Sequence, residues 1–167
     1  MEELSEAIEF PRIATLLVAY YWYPRGHRDE RIATWRVDMH FPAPDARYRG
    51  ALAVLGPAQD ERRKSCEQFL SELQEGLAKV EALAERDIPG EYRRSVSVPG
   101  RSGRSYEPAL EIVAGNSQIC LWVSASSSTG HTFHYVLKVD EVRRAIDVLE
   151  GVPTRAQALT ETLISLA

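Results

Sequence analysis

Four arginines fall within twelve residues of one another: Arg93, Arg94, Arg101 and Arg104. Only Glu91 and Glu107, at the two ends of the stretch, oppose them. Gly100 and Gly103 lie among them and let a backbone approach a ligand closely. Guanidinium groups grip phosphate or carboxylate through parallel N–H donors, so the stretch reads as an anion-binding loop. The alternative is a solvated hairpin tip. No Gly-Lys-Ser/Thr follows, so the spacing is not that of a nucleotide P-loop.

Aromatic residues on extended segments are the second chemical signal. Trp22, Trp35 and Trp122 all lie on runs patterned as strands, beside Tyr20, Tyr21, Tyr23, Phe133 and Tyr135. A base stacked on an exposed ring gains roughly 1–3 kcal/mol without sequence readout. Core packing is the competing use of such rings. Alternation assigns Trp35 to the face of Val37, Met39 and Phe41, a core face. It assigns Trp122 to the face of Gln118, Cys120, Ser124 and Ser126, which makes Trp122 the ring expected to meet a ligand.

The histidines give less. His40 shares a polar face with Asp38 and Arg36, an acid–base group or simply a solvated face, the second being favoured. His131 and His134 stand three apart on a strand and point to opposite faces, a poor spacing for one metal ion. His27 lies in a polar loop. Cys66 and Cys120 cannot build a disulfide framework or a metal site between them. They read as reduced thiols, with Cys66 on the apolar stripe of a helix. Ser126 to His131 lacks the flanking glycines of a nucleophile elbow. No catalytic set assembles from these spacings, and neither a metal nor a cofactor is expected.

The elements that must hold these residues follow from periodicity. Residues 1–11 read as a short acidic helix or a loose arm, ended by Pro11. Residues 12–23 are β-branched and aromatic on both faces, as in a strand covered on two sides. Residues 31–41 alternate, with Ala33, Trp35, Val37, Met39 and Phe41 on one face. Tyr48 to Leu55 is a further strand candidate. Pro57 to Arg86 reads as a long helix, with Cys66, Phe69, Leu70, Leu73, Leu77, Val80 and Leu83 in one stripe. Its opposite face carries Glu67, Glu72, Glu75, Lys79 and Glu81. Strands are expected over 91–98, Ala109 to Ala114, Gln118 to Ser126 and His131 to Val139. Asp140 reads as the cap of a helix that Gly151 ends. Thr154 and Gln157 fit the capping box of a separate last helix bearing Leu159, Leu163 and Leu166.

Runs of strands joined by short turns predict an α+β fold. The expected architecture is a mostly antiparallel sheet of about six to seven strands, with one long helix and two short C-terminal helices packed on one face. The 167 residues fit a single domain, and the element order also divides into two strand–helix halves, 12–90 and 91–167. A duplicated plan of strands followed by a helix is similar to that of several single-strand nucleic-acid-binding folds, among them the Whirly and Pur types. The likeness is one of plan, with no shared motif, and a plan does not fix a function.

Composition sets the outer bounds. Apolar residues make up 44% and charged residues 26%, which excludes a disordered tail, a collagen-like chain and a disulfide miniprotein. No run approaches the roughly 20 apolar residues of a membrane span. The acidic start, Met-Glu-Glu-Leu-Ser-Glu, is the reverse of a secretory signal, so a cytoplasmic protein with no membrane role is expected. The net charge of −4 conceals a partition: stretches 11–56 and 91–139, mainly strands, total +5, whereas 57–90 and 140–167, mainly helices, total −5.

A positive sheet surface attracts anions even on an acidic molecule. The leading expectation is therefore a non-enzymatic binding module. It would take single-stranded nucleic acid, or another anionic partner, on a basic and partly aromatic sheet face. The residues expected to carry it are Arg93, Arg94, Arg101, Arg104, Trp122, Arg36 and His40. The overall acidity weighs against this, since nucleic-acid binders are usually basic. The alternative is a protein-interaction or assembly subunit, a homo-oligomer in which the arginines make interface ion pairs. An enzyme using His40 and Asp38 has the least support.

Overall fold

The computed structural model describes residues 1–27, 29–42, 50–86, 92–96, 109–115, 118–126 and 132–167. Side chains are described for 1–27, 29–42, 50–82 and 135–167. The chain is α+β. Its first sheet comprises β1 (Glu3–Ile8), β2 (Ala14–Trp22), β3 (Ile32–Phe41), β4 (Ala51–Gly56) and β5 (Lys64–Ser65), in that spatial order. Helix α1 (Cys66–Arg86) follows. The second sheet comprises β6 (Tyr92–Val96), β7 (Ala109–Gly115), β8 (Gln118–Ser126) and β9 (Thr132–Lys138), again in chain order. Helix α2 (Val139–Ser165) comes last. Neighbouring strands are antiparallel except for the two-residue β5, which runs parallel to β4.

The single sheet expected from the sequence is thus two sheets, of five and four strands. The cross-packing of the helices relates them. α1, which follows the first sheet, lies against β7 and β8 of the second, while α2 lies against β1, β2 and β3 of the first. The helices also pack on each other. One core results. It joins Leu17, Val37, Met39, Phe41, Ala53 and Leu55 of the first sheet to Phe69, Leu73 and Val80 of α1, Leu137 of β9, and Val142, Ala145, Leu149 and Val152 of α2. Phe10, just past β1, stacks on Phe69 with ring centroids 6.5 Å apart.

The alternation read in β3 holds. Val37, Met39 and Phe41 are buried on the helix-facing side, with Leu17 opposite Val37 on β2 and Leu55 opposite it on β4. Four local expectations fail. Residues 3–8 form strand β1 rather than a helix or an arm, because their glutamates find partners on distant elements. Glu3 pairs with Arg36, and Glu6 accepts from Arg155 Nε at 2.9 Å. α1 begins at Cys66, not Pro57, because the Ser65 hydroxyl receives the Gln68 N–H at 3.0 Å as an N-terminal cap. Glu72, read as solvent-facing, is buried and accepts from the equally buried Lys64 at 2.7 Å.

The fourth is at the C-terminus, where one helix of 27 residues replaces the two expected. It starts before Asp140, and the Glu141 carboxylate closes back on the Lys138 N–H at 3.2 Å. Gly151 and Pro153 do not break it. The buried stripe Val142, Ala145, Ile146, Leu149, Val152, Ala156 and Leu163 keeps helical spacing straight through them. Packing of that stripe offsets the cost of the proline, whose missing N–H leaves the Leu149 carbonyl without its helical donor.

Pro153 is exposed and makes no core contact of its own. Pro153→Ala is therefore expected to stabilise the fold by about 1–3 kcal/mol. Denaturant unfolding of the two proteins measures this. An unchanged or lowered midpoint would show that the ring contributes packing in the hollow it lines with Trp35 and Pro57.

Candidate functional site

The sequence placed its anion site on basic strands, so the fate of each arginine decides what the site can be. Arg36 sits on the face of β3 turned away from the helices. Its Nε donates to both oxygens of Asp38, at 3.0 and 3.1 Å, and its Nη2 donates to Glu3 at 3.2 Å. Its guanidinium also lies 4.8 Å from the centre of the Tyr20 ring. Burial alone would lower the Arg36 pKa, but Asp38 and Glu3 more than reverse that and hold the charge in place. His40 shares this face further along β3. It is exposed and lines a separate shallow hollow with Arg12, Pro42 and Leu52.

The remaining expected residues divide between two situations. Arg93 and Arg94 lie in β6, opposite Val113 and Ile112 of β7, and Trp122 lies in β8, opposite Glu111 and Val136. Their side chains are outside the described set, as are Arg101 and Arg104 altogether. The structure thus places Arg36 and His40 in the first sheet, and Arg93, Arg94 and Trp122 in the second.

What the structure does bring together lies at the Trp22 end of the first sheet. β4 pairs with β3 only from Val37 to Phe41. At Gly56 the chain leaves the sheet and makes a tight turn. The Asp60 N–H bonds the Pro57 carbonyl at 3.0 Å, and a Cβ on Gly56 would stand 3.3 Å from the Asp60 Cβ. The Asp60 carboxylate accepts from the Arg62 N–H at 3.0 Å, from Arg62 Nε at 2.9 Å and from Arg62 Nη2 at 3.0 Å. Arg63 pairs with it more loosely, at 4.0 Å, and donates to the Tyr20 hydroxyl at 3.2 Å. The Arg62 guanidinium covers the Trp22 ring, 4.7 Å from its centre.

Because β4 stops there, residues Ile32–Arg36 of β3 have a β2 neighbour on one side and no described backbone partner on the other. A groove of about 680 Å³ runs beside this open edge. Trp22, Ile32, Ala33, Thr34 and Trp35 form one wall, Pro57, Gln59, Asp60, Glu61 and Arg62 the other, and Gln157, Thr160 and Glu161 of α2 the floor. A hollow of about 220 Å³ shares Trp35, Pro57, Gln59 and Gln157 with it and reaches Gly56, Glu67 and Pro153. Trp35, assigned to the core, is half-buried: it packs on the core and also lines the groove.

The described lining of the groove contains neither histidine nor cysteine. The two histidines whose side chains are described lie elsewhere, His27 on an exposed hairpin near Glu30 and His40 in its own hollow. Burial pushes the thiol of Cys66, at the far end of the hollow, up to about 12, which leaves it protonated and unreactive. Among the described residues no group of three or more metal-ligating side chains occurs, and no helix is long and apolar enough to cross a membrane. Comparison with protein-family models, with curated proteins and with solved structures gives no match. The geometry alone carries the functional reading.

Sequence reasoning missed the groove because it put residues 57–65 into a helix. The Ser65–Gln68 capping pattern was the signal that could have moved the helix start and released Asp60, Arg62 and Arg63 into a turn.

Burial raises the Asp60 pKa, but hydrogen bonds from Arg62 and the charges of Arg62 and Arg63 bring it below the ordinary carboxylate value. The folded protein thus binds this proton less readily than the unfolded chain. The associated stability is present above the unfolded value, about 3.9, and is lost as pH falls through the lower folded value. Asp60→Asn is expected to cost on the order of 1 kcal/mol at neutral pH. The gap between the two proteins should close in acid below about pH 4. Urea unfolding across a pH series measures both. A gap that persists at low pH would mean that Asp60 acts through its shape and not its charge.

Proposed function

We propose that this protein is a non-enzymatic binding module of the protein-interaction class and that the groove beside the open edge of β3 is its working surface. The observation that carries this reading is a stretch of strand edge with no described backbone partner, flanked in the groove by two indole rings, Trp35 on the face toward α2 and Trp22 on the opposite face. Backbone N–H and C=O groups at a sheet edge are matched by the backbone of another extended chain. Rings with a polar end suit surfaces that alternate between water and a partner.

The state of the described arginines supports the same reading. Arg12 bonds Glu141 at 2.8 Å, Arg36 bonds Asp38 and Glu3, Arg62 and Arg63 share Asp60, Arg143 bonds Glu81, and Arg155 bonds Glu6. A guanidinium already matched to a carboxylate of its own chain has to give up that partner before it can take a phosphate. Arg36, Arg62 and Arg63, on the first sheet and the turn that follows it, therefore offer little free positive charge.

Single-stranded nucleic acid is the second reading, and one observation favours it. Arg62 over Trp22 and Arg31 over Tyr21, the latter at 4.2 Å, place ring and cation together as a base-stacking site would. On this reading Arg93, Arg94, Arg101, Arg104 and Trp122 would extend the contact over the second sheet.

Two measurements decide between them. Panning a library of displayed linear peptides against the full chain should enrich binders whose affinity falls about tenfold or more with Trp35→Ala, as expected when a ring at the centre of a contact is removed. A labelled oligothymidylate should show no anisotropy change at about 50 mM salt. Oligonucleotide binding that weakens steeply with salt, and is lost on replacing the four arginines of 93–104 with alanine, would reverse the order of the two readings.

A further inference from the structure

Resting on the protein-interaction reading, we propose that the groove takes one extended segment of a partner polypeptide, added to the first sheet as a strand in the lane that β4 leaves, and that this segment carries basic residues flanking an alternating apolar centre. The lane is defined by β4 itself. Leu55 faces Val37 across the ladder, and among the described residues no strand lies opposite the next positions toward Ile32. Ile32–Arg36 gives about 16 Å of edge, enough for a segment of about five residues.

The width of the lane selects the form of the occupant. Its far wall is the turn from Pro57 to Arg62, on the other side from β3. A strand lying between them has β3 on one side and that turn on the other, so it brings no sheet of its own. This excludes edge-to-edge pairing with a second copy through β3, since the copy's β2 and its own 57–62 turn would have to share the same space. A tail or an extended loop fits.

The two faces of the lane select the side chains. A residue placed opposite Ala33 or Trp35 shares their face, toward α2, where the small Ala33 and the half-buried ring of Trp35 leave room for an apolar group. A residue opposite Thr34 points the other way, beside Trp22 and Arg62, and remains in contact with water. Apolar and polar positions must therefore alternate.

Charge in the groove and in the adjoining hollow selects the flanks. Glu161, on the floor, is exposed and has as its contact the Gln157 amide, which donates at 3.1 Å. Glu67, at the Gly56 end of the adjoining hollow, is also exposed. Among the described residues neither makes an ion pair, whereas the cation in the lining, Arg62, is held by Asp60. Lysine or arginine on each side of the apolar centre meets a carboxylate without displacing an existing pair.

The test uses the full-length protein and the peptides enriched by panning. Amide hydrogen exchange with and without a saturating peptide reads the mode of binding, and Glu67→Gln with Glu161→Gln reads the charge. Both substitutions are on exposed positions and leave the fold intact. The expected result is at least tenfold slower exchange within Ile32–Arg36, enrichment of alternating sequences with basic flanks, and a fivefold or greater loss of affinity in the double variant. Peptides that bind but leave those amides unprotected overturn the strand-addition mode and leave the interaction reading standing. Acidic or uncharged flanks, or an unchanged affinity in the double variant, overturn the charge assignment in the same way. A library that yields no binder overturns the proposal together with the reading beneath it. Protection of the same amides by oligothymidylate does so as well.

Discussion

β4 cannot follow β3 beyond Leu55, and much of the molecule's character comes from that one stop. Pro57 has no N–H to contribute to a ladder, and its ring favours a turn. The carbonyl of Pro57 takes the Asp60 N–H, Asp60 gathers Arg62 and Arg63, and Gly56 lets the Asp60 side chain approach within a distance that a Cβ would contest. The chain then comes back beside β4 for two residues as β5 and turns into α1 at Ser65. Lys64 fixes this return. Its ammonium is fully buried, so the bond to the buried carboxylate of Glu72 is a condition for placing the charge there at all. The start of α1, the open edge of β3 and the walls of the groove are consequences of one turn and one buried ion pair.

The exchange of helices between sheets is the second constraint. α1 covers the sheet that follows it in the chain, and α2 covers the sheet that began the chain. α1 also touches β4 and β5, and α2 also touches β8 and β9, so each helix contacts both sheets, and α2 lies far in sequence from the first-sheet strands it packs on. This explains how α2 tolerates Gly151 and Pro153. The residues on either side of them, Leu149, Val152 and Ala156, are held in a core built from both halves, and a local helix break would expose all three.

Legibility from the sequence followed the range of the interactions. β3 and the stripe of α1 were readable because their patterns depend on one boundary between core and water: Val37, Met39 and Phe41, or Phe69, Leu73 and Val80. β1 was not, because its strand character depends on glutamates whose partners, Arg36 and Arg155, lie 33 and 149 residues away. Glu72 reads as solvent-facing for the same reason, since the fold is what brings the buried Lys64 against it. The two C-terminal helices were inferred from Gly151 and Pro153 as local breakers, while the unbroken apolar spacing around them carried the better information. For the candidate site, Trp22 and Trp35 were visible as strand aromatics, but the groove was not. It exists because of where β4 stops, and that is a property of Pro57, Asp60 and Lys64 acting together. The arginines were visible as a count, and their pairing was not.

An open strand edge is normally a hazard, because it templates pairing with any other edge. The first sheet meets that hazard differently at its two exposed places. β1 is short, and its Glu3 and Glu6 put carboxylates on both faces at the rim, which discourages an approaching apolar strand. The open half of β3 carries one charge, Arg36, already paired with Asp38 and Glu3. Its positions there include Ala33 and Thr34, small and uncharged, beside Ile32 and Trp35. On the strand-addition proposal its guard is steric: the turn from Pro57 to Arg62, which lines the groove with it, leaves room for an added strand and not for a sheet. A guard that rejects sheets by shape, and not strands by charge, removes the route to aggregation and keeps the hydrogen-bonding groups of β3 usable. A purely structural edge would gain nothing from that distinction, since the charges that protect β1 would have served equally well on β3.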